Sequence, residues 1–306
     1  MNPASAGAKN DSNRSGNSIP AELYFKSGCT LGEGPVWDAG TLYWTDISGK
    51  SIFAKRDESK VPEKYELPLE VGCLVPWKNQ QLILATEHGF QLFDLGKKLL
   101  EPWADPEKGN ANVRFNDGKC DPRGRFVAGT ISRQRKPEAA LYLLDHDRSV
   151  RELLRPLTNS NGLAWSEDGK NFYHIDTPTR CVRSYAYDLE TGRLTDEQVV
   201  TRIPESHGKP DGMTIDRNGN LWIALWGGWG IECWNPVTGE QLARIELPVA
   251  NVTCCTFGGD NLDTLFITTA RQGLDEAALA KQELAGSIFC ARPGVSGFPA
   301  NHFRDE

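Results

Sequence analysis

The stretch NSNGLAWSEDGKNFY at residues 159–173 returns fifty positions later as KPDGMTIDRNGNLW at residues 209–222. Each copy holds a short apolar run, a polar turn with Gly, and a second apolar run, the pattern of a β-hairpin. One residue changes character between them: the amide Asn161 stands where the second copy has the carboxylate Asp211. The same turn recurs in WDAGTLYW (37–44), WKNQQLIL (77–84), DPRGRFVA (121–128) and GGDNLDTLFI (258–267), so the chain reads as six units. With the first strand of each unit marked by Gly34, Gly72, Gly118, Gly162, Gly212 and Cys254, the intervals are 38, 46, 44, 50 and 42 residues.

Repeats of this length, each with several strands and no periodic helix, predict an all-β fold, a six-bladed β-propeller with four antiparallel strands per blade. A second hairpin in each unit, clearest around ETG (190–192) and VTG (237–239), supplies the outer strands. A two-sheet sandwich is also all-β, but it does not require one turn at the same place in six successive units. Only LDEAALAKQEL (274–284) looks helical. Radial closure leaves only short, protected sheet edges, which gives the repetition a physical reason.

The first strand of every blade lines the central channel, so equivalent positions form a ring about the axis. The residue before each marker is Glu33, Val71, Asp117, Asn161 or Asp211, and Val252 or Thr253 in the sixth unit. Asp and Asn favour turns, so any one of these is ordinary by itself. Together they place the oxygens of Glu33, Asn161 and Asp211 at one end of the axis. Facing carboxylates without a cation repel and are poorly solvated, whereas a divalent ion held by two carboxylates and an amide oxygen makes the arrangement favourable. The amide copy then adds a donor without a third negative charge. Ca²⁺, Mg²⁺ and Mn²⁺ suit such oxygens, and Zn²⁺ or Fe²⁺ also accept them. Three protein ligands leave positions for water and substrate.

Arg114 and Asn116 lie just ahead of the ring position of the third unit; Arg114 reads either as an anchor for a substrate oxygen or as a surface charge. The second strands end at the same mouth, which brings Trp226, Trp229 and His88 there as candidate contacts. No G-x-S-x-G turn occurs, so a serine nucleophile has no support.

The net charge is -7 with no basic stripe, which argues against nucleic acid or an anionic membrane as partner. No apolar run approaches the roughly 18 residues of a membrane span. Residues 1–20 are small and polar, lack a secretory apolar core and read as a disordered tail before a propeller domain over 21–306. Eight cysteines without a C-x-x-C pair read as reduced, buried thiols of a cytoplasmic protein. A small molecule is the expected partner, and the chain a monomer or weak homo-oligomer.

LGEGPVWDAGTLYWTDI (31–47), RFNDGKCDPRGRFVAGT (114–130), SNGLAWSEDG (160–169) and PDGMTIDRNGNLWIA (210–224) together resemble the SMP-30/gluconolactonase, or regucalcin-like, family of sugar lactonases. The resemblance extends over residues 23–297. It implies a six-bladed propeller with one catalytic divalent metal held by Glu33, Asn161 and Asp211, and a sugar lactone bound by Arg114 and Asn116. The implied reaction opens an aldonolactone to the free acid, with Asp211 assisting the attacking water. One departure stands out: where some members carry an acidic residue after AGT, this chain has Arg133, Arg135 and Lys136. Two readings compete with it. YWTD (43–46) is a signature of ligand-binding receptor propellers, though it occurs once here, and relatives with this site have been credited with calcium binding or phosphotriester hydrolysis.

Overall fold

The computed structural model describes residues 18–78 and 80–305. The chain enters with β1 (Ser18–Phe25) and then builds four antiparallel sheets of four strands, each a simple meander. The first holds β2 (Gly32–Asp38), β3 (Thr41–Asp46), β4 (Ser51–Arg56) and β5 (Glu63–Glu66); the second, β6 (Val71–Pro76), β7 (Gln81–Thr86), β8 (Gly89–Asp94) and β9 (Leu99–Ala104). The third holds β10 (Val113–Cys120), β11 (Phe126–Ser132), β12 (Ala139–Leu144) and β13 (Val150–Leu157); the fourth, β14 (Ser160–Trp165), β15 (Asn171–Asp176), β16 (Cys181–Tyr187) and β17 (Leu194–Arg202).

The remaining sheet departs from the expected separate four-stranded units, because it has eight strands. One half is the meander β18 (Lys209–Ile215), β19 (Leu221–Trp226), β20 (Gly230–Trp234) and β21 (Gln241–Glu246). The other half is β22 (Val252–Gly258), β23 (Thr264–Thr269) and β24 (Ile288–Ala291), completed by β1 from the far end of the chain. β1 pairs antiparallel with β24 and, over Ser18 to Pro20, parallel with β21, and this second pairing fuses the halves. The strand therefore begins inside the segment expected to be a tail; residues 1–17 of that segment lie outside the described residues. The helical stretch is a short helix, α1 (Glu276–Lys281), capped by Asp275, whose carboxylate accepts the Ala278 N–H at 2.8 Å. No helix is long and apolar enough to cross a membrane among the described residues.

All six quoted turns join a first to a second strand, as expected. The first strands β2, β6, β10, β14, β18 and β22 each touch the next, and β22 touches β2, which closes a cycle. Apolar side chains fill the gaps between consecutive meanders: Val36 and Ile52 meet Leu74 and Phe93 between the first two, and Trp37 and Trp44 share a cluster with Phe266 across the closure. Burial is thus largely radial, between sheets, and the end of the axis where the inner strands begin is left to polar groups. All eight cysteines are free thiols, seven of them buried.

At Gly72, Gly162 and Gly212 neighbouring inner strands approach closely. A Cβ on Gly72 would lie 2.5 Å from the Phe115 carbonyl oxygen, and one on Gly162 would lie 2.9 Å from that of Asp211. Backbone cannot yield as a side-chain tip does, so Gly72→Ala is expected to destabilise the fold by about 1–3 kcal/mol. The urea denaturation midpoint checks this; an unchanged midpoint would mean the ring tolerates a methyl group.

Candidate active site

The ladder between first and second strands breaks register at one equivalent place in all six units. The shifts fall between Glu33 and Val36, Val71 and Cys73, Phe115 and Gly118, Asn161 and Leu163, Pro210 and Met213, and Val252 and Cys254. A bulge leaves residues unpaired and re-aims their side chains. Here it does so at or beside each ring position, and the ring position of the sixth unit is Thr253, whose hydroxyl donates to the Gly32 carbonyl at 2.6 Å.

Glu33, Asp117, Asn161 and Asp211 are all buried, between 2% and 6% exposed. The carboxylates of the fold divide into two kinds. Asp46, Asp176 and Asp216 each accept at least two backbone N–H bonds and serve as staples of turns. Glu33 and Asp117 accept one backbone bond apiece, from the glycine that follows, at 2.9 and 2.7 Å, and Asp211 follows the same pattern with Gly212. Asp117 keeps a buried oxygen, Oδ2, without a partner.

Poor solvation together with mutual repulsion holds these acids toward their neutral forms. Burial, then the Asp117 charge, pushes Glu33 up to about 8, against the Gly34 N–H and the more distant Arg114. Asp211 is raised well above the usual carboxylate range by burial, then by Glu33 and Asp117. Burial also raises Asp117, with Lys119 opposing. Three acids from three inner strands thus share one field.

Asn161 enters this field through a fixed amide. Its Nδ2 donates to Thr177 Oγ1 at 2.8 Å, and that hydroxyl donates to the Pro210 carbonyl at 2.9 Å, next to Asp211. Its Oδ1 accepts from Asn116 Nδ2 at 3.0 Å. Asn116 is held in turn by Arg114, whose Nη1 donates to Asn116 Oδ1 at 2.9 Å and to the Phe115 carbonyl at 2.8 Å. Arg114 is not a surface charge: its side chain is 10% exposed, with Nε 3.7 Å from Glu70 Oε2. Nη2 has no hydrogen-bond partner among the described residues. The structure therefore links Arg114, Asn116 and Asn161 in one hydrogen-bonded chain, and brings Glu33 and Asp211 into one electrostatic cluster. No three His, Cys, Asp or Glu side chains are arranged to hold a metal ion among the described residues, so the carboxylates alone do not make such a set.

Residues 31–271, which contain every one of these side chains, match the family described as SMP-30/Gluconolactonase/LRE-like region. The chain belongs to this family. A protein of Bacillus subtilis (strain 168) provisionally named sugar lactone lactonase YvrE is 38% identical over 283 residues, covering 92% of this chain and 97% of that one. Regucalcin of Danio rerio is 38% identical over 289 residues, covering 92% and 98%. The structure of a regucalcin from Agrobacterium tumefaciens, described as a calcium-binding protein, superposes with a TM-score of 0.89 at 26% identity, over 94% of this chain and 99% of that one. Membership in the SMP-30/gluconolactonase family supports hydrolysis of sugar lactones in general and a propeller-like fold.

His88 is exposed on the turn between β7 and β8. Trp226 packs against Leu31, Ile47 and Ala270, whereas Trp229 is 45% exposed with a left-handed φ of 59°. Arg133 sits at the rim, its Nη2 2.5 Å from Glu70 and 3.1 Å from Glu87. Sequence reasoning placed Asp117 on the ring without giving it a role, and missed Thr177 altogether. Asp117 carried the same acid-glycine signal as Asp211, and its charge faces the others. Thr177 carried none, because it reaches the site from a 3-10 turn (Thr177–Thr179) that only the fold brings there.

Proposed function

We propose that the chain is a six-bladed propeller that hydrolyses an aldonolactone with the help of one divalent cation. The closed cycle of six inner strands supports the blade count, with the eight-stranded sheet counted as two blades fused by β1. The uncompensated charge at the axis carries the cation reading. Glu33 and Asp211 are buried, repel each other and lack a nearby cationic partner at hydrogen-bonding distance, and Asp117 Oδ2 is orphaned. An oxygen-only donor set of this sign fits a hard divalent ion, with Glu33, Asn161 Oδ1 and Asp211 as the residues that would hold it. Calcium is the first ion to test, given the calcium-binding relative. When bound, such an ion supplies Lewis acidity toward the lactone carbonyl and offsets the buried negative charge.

The remaining chemistry belongs to the chain. Arg114 presents its spare Nη2 to a substrate oxygen, and Asn116, fixed by Arg114 and Asn161, lines the same approach. Asp211, its charge offset by the cation, takes a proton from the attacking water as general base. As the ring C–O bond breaks, the proton passes to the leaving hydroxyl, and the products are the free acid and its alcohol on one molecule. A lactone is already a reactive ester, so no covalent nucleophile is needed.

Acid release from a panel of pentono- and hexonolactones, followed in a pH-stat with calcium and again with chelator, tests this reading. Chelator-sensitive hydrolysis of at least one aldonolactone is expected. Absence of catalysed release from every member of the panel would rule the lactonase reading out and favour a ligand-binding propeller.

A further inference from the structure

The inner strands run on past the ring to the opposite end of the axis, where they enclose a cavity of about 290 Å³. It begins two to three residues beyond the carboxylates, a rise of roughly 7–10 Å along a strand. Its walls are apolar: Val36, Val75, Leu163, Ile215 and, from the C-terminal segment, Phe298. Polar side chains break this lining: Lys119 on β10, Thr214 on β18 and Thr256 on β22 come from the inner strands, while Ser166, Glu167 and Asn301 join from the loops, Glu167 and Asn301 being exposed.

The polar groups are under-used. Lys119 Nζ donates to the Met213 carbonyl and makes no other hydrogen bond or ion pair among the described residues. The hydroxyls of Thr214 and Thr256 make no side-chain hydrogen bond among them. An ammonium with spare donors beside two free hydroxyls, walled by aliphatic and aromatic groups, matches the lining of a small-ligand site.

The cover is fixed at its ends and loose in the middle. The Arg217 N–H donates to the Ser296 carbonyl at 2.8 Å and the Gly297 N–H to that of Leu262 at 2.9 Å. Beyond the cavity the Phe303 N–H donates to the Pro76 carbonyl at 2.8 Å, and His302 Nε2 lies 2.8 Å from Asp38 Oδ1. Residues 299 and 300, which lie over the cavity, make no backbone hydrogen bond among the described residues.

We propose that this cavity is a second binding site, separate from the lactone site, for a small organic monocarboxylate with a compact apolar body. The carboxylate pairs with Lys119 and the two hydroxyls, and the body fills the apolar walls. A dry cavity of about 150 Å³ accepts benzene, so the space here suffices for a ring bearing a carboxylate.

Ile215 lines the cavity, so its ¹³C-labelled δ methyl group reports on the site. In a titration of the full-length protein with benzoate, a saturable shift of this signal is expected with a Kd of about 1 mM or tighter. Benzyl alcohol, which has the same body and no charge, should bind the native protein at least roughly tenfold more weakly, and benzoate should lose a similar factor in Lys119→Met. Absence of a saturable shift with benzoate, or equal affinity for the acid and the alcohol, would overturn the proposal. The acid-alcohol comparison uses the native protein alone, so the proposal stays testable even if Lys119→Met fails to fold.

Discussion

Asp211→Asn is expected to lose lactone hydrolysis by a factor on the order of 10² to 10⁴, the usual worth of a positioned base, while its metal-free form gains stability. The two halves have one cause. Asp211 is buried among Glu33 and Asp117, and its charge is opposed by burial and by both neighbours. A neutral amide of the same shape keeps an oxygen donor but removes the repulsion and the ability to take a proton. At pH 8 without metal the variant should be more stable than the parent by about 0.5–2 kcal/mol, the increment common when a strained functional group is relieved. Lactone turnover and urea denaturation on the same preparation check both halves. Retained turnover would remove Asp211 from the proposed mechanism, and lost stability would show that its carboxylate is not strained. An ordinary structural aspartate behaves oppositely: Asp216 accepts the N–H groups of Asn218 and Asn220 and the Trp222 indole, so its amide variant loses stability.

That contrast marks what a sequence can and cannot tell about an acid. The position of Asp211 was legible because the repeat encodes it: the glycine after it admits the neighbouring strand, and the register shift beside it turns the side chain to the axis. The register shift recurs beside Gly34, Gly118 and Gly162, and the close strand approach at Gly162, so the acid- or amide-glycine pair repeats and Glu33, Asp117 and Asn161 could be aligned without a structure. Whether a carboxylate is satisfied or orphaned depends on which N–H groups surround it, and those come from loops whose paths carry no periodic signal. Thr177 and Glu70 reach the site in that way.

The role of Ser18–Phe25 was hidden for a different reason. SIPAELYF follows a polar stretch, contains Pro20 and lies outside every repeat, so local pattern assigns part of it to a tail. The need for it is global: the last unit has only β22, β23 and β24 of its own, and the exposed edge of β24 requires a partner. A count of strands per unit reveals the vacancy, but not which segment fills it, since pairing across the whole chain is set by closure of the ring and not by local propensity.

Between pH 6.5 and 8 the metal-free protein is expected to lose stability as pH rises, and calcium is expected to restore it. Glu33 carries a folded-state pKa of about 8 against an ordinary value of 4.5. A raised carboxyl contributes stability that is complete below about 4.5 and lost as pH climbs through about 8, because the unfolded chain releases a proton that the native state retains. Asp117 and Asp211 are displaced in the same direction. His174 works oppositely: burial drives it down to about 3 from 6.5, so its contribution is lost as pH falls below 6.5, and above that value it is silent. Above 6.5 the histidine is silent, but buried thiols such as Cys73, Cys120 and Cys254, raised by burial, add a slope of the same sign toward pH 8. The carboxylate share, up to about 1.4 kcal/mol per pH unit for each proton retained, is therefore read from the difference between parent and Glu33→Gln. Calcium competes with those protons, so its affinity should rise across the window by up to roughly tenfold per pH unit for each proton displaced. Urea denaturation at pH 6.5 and 8, in chelator and in excess calcium, measures both effects, and Glu33→Gln should flatten the chelated slope. Stability that is flat or rising in chelator, or a calcium affinity independent of pH, would mean that these buried acids are ionised without a cation and that the axis is not built to receive one.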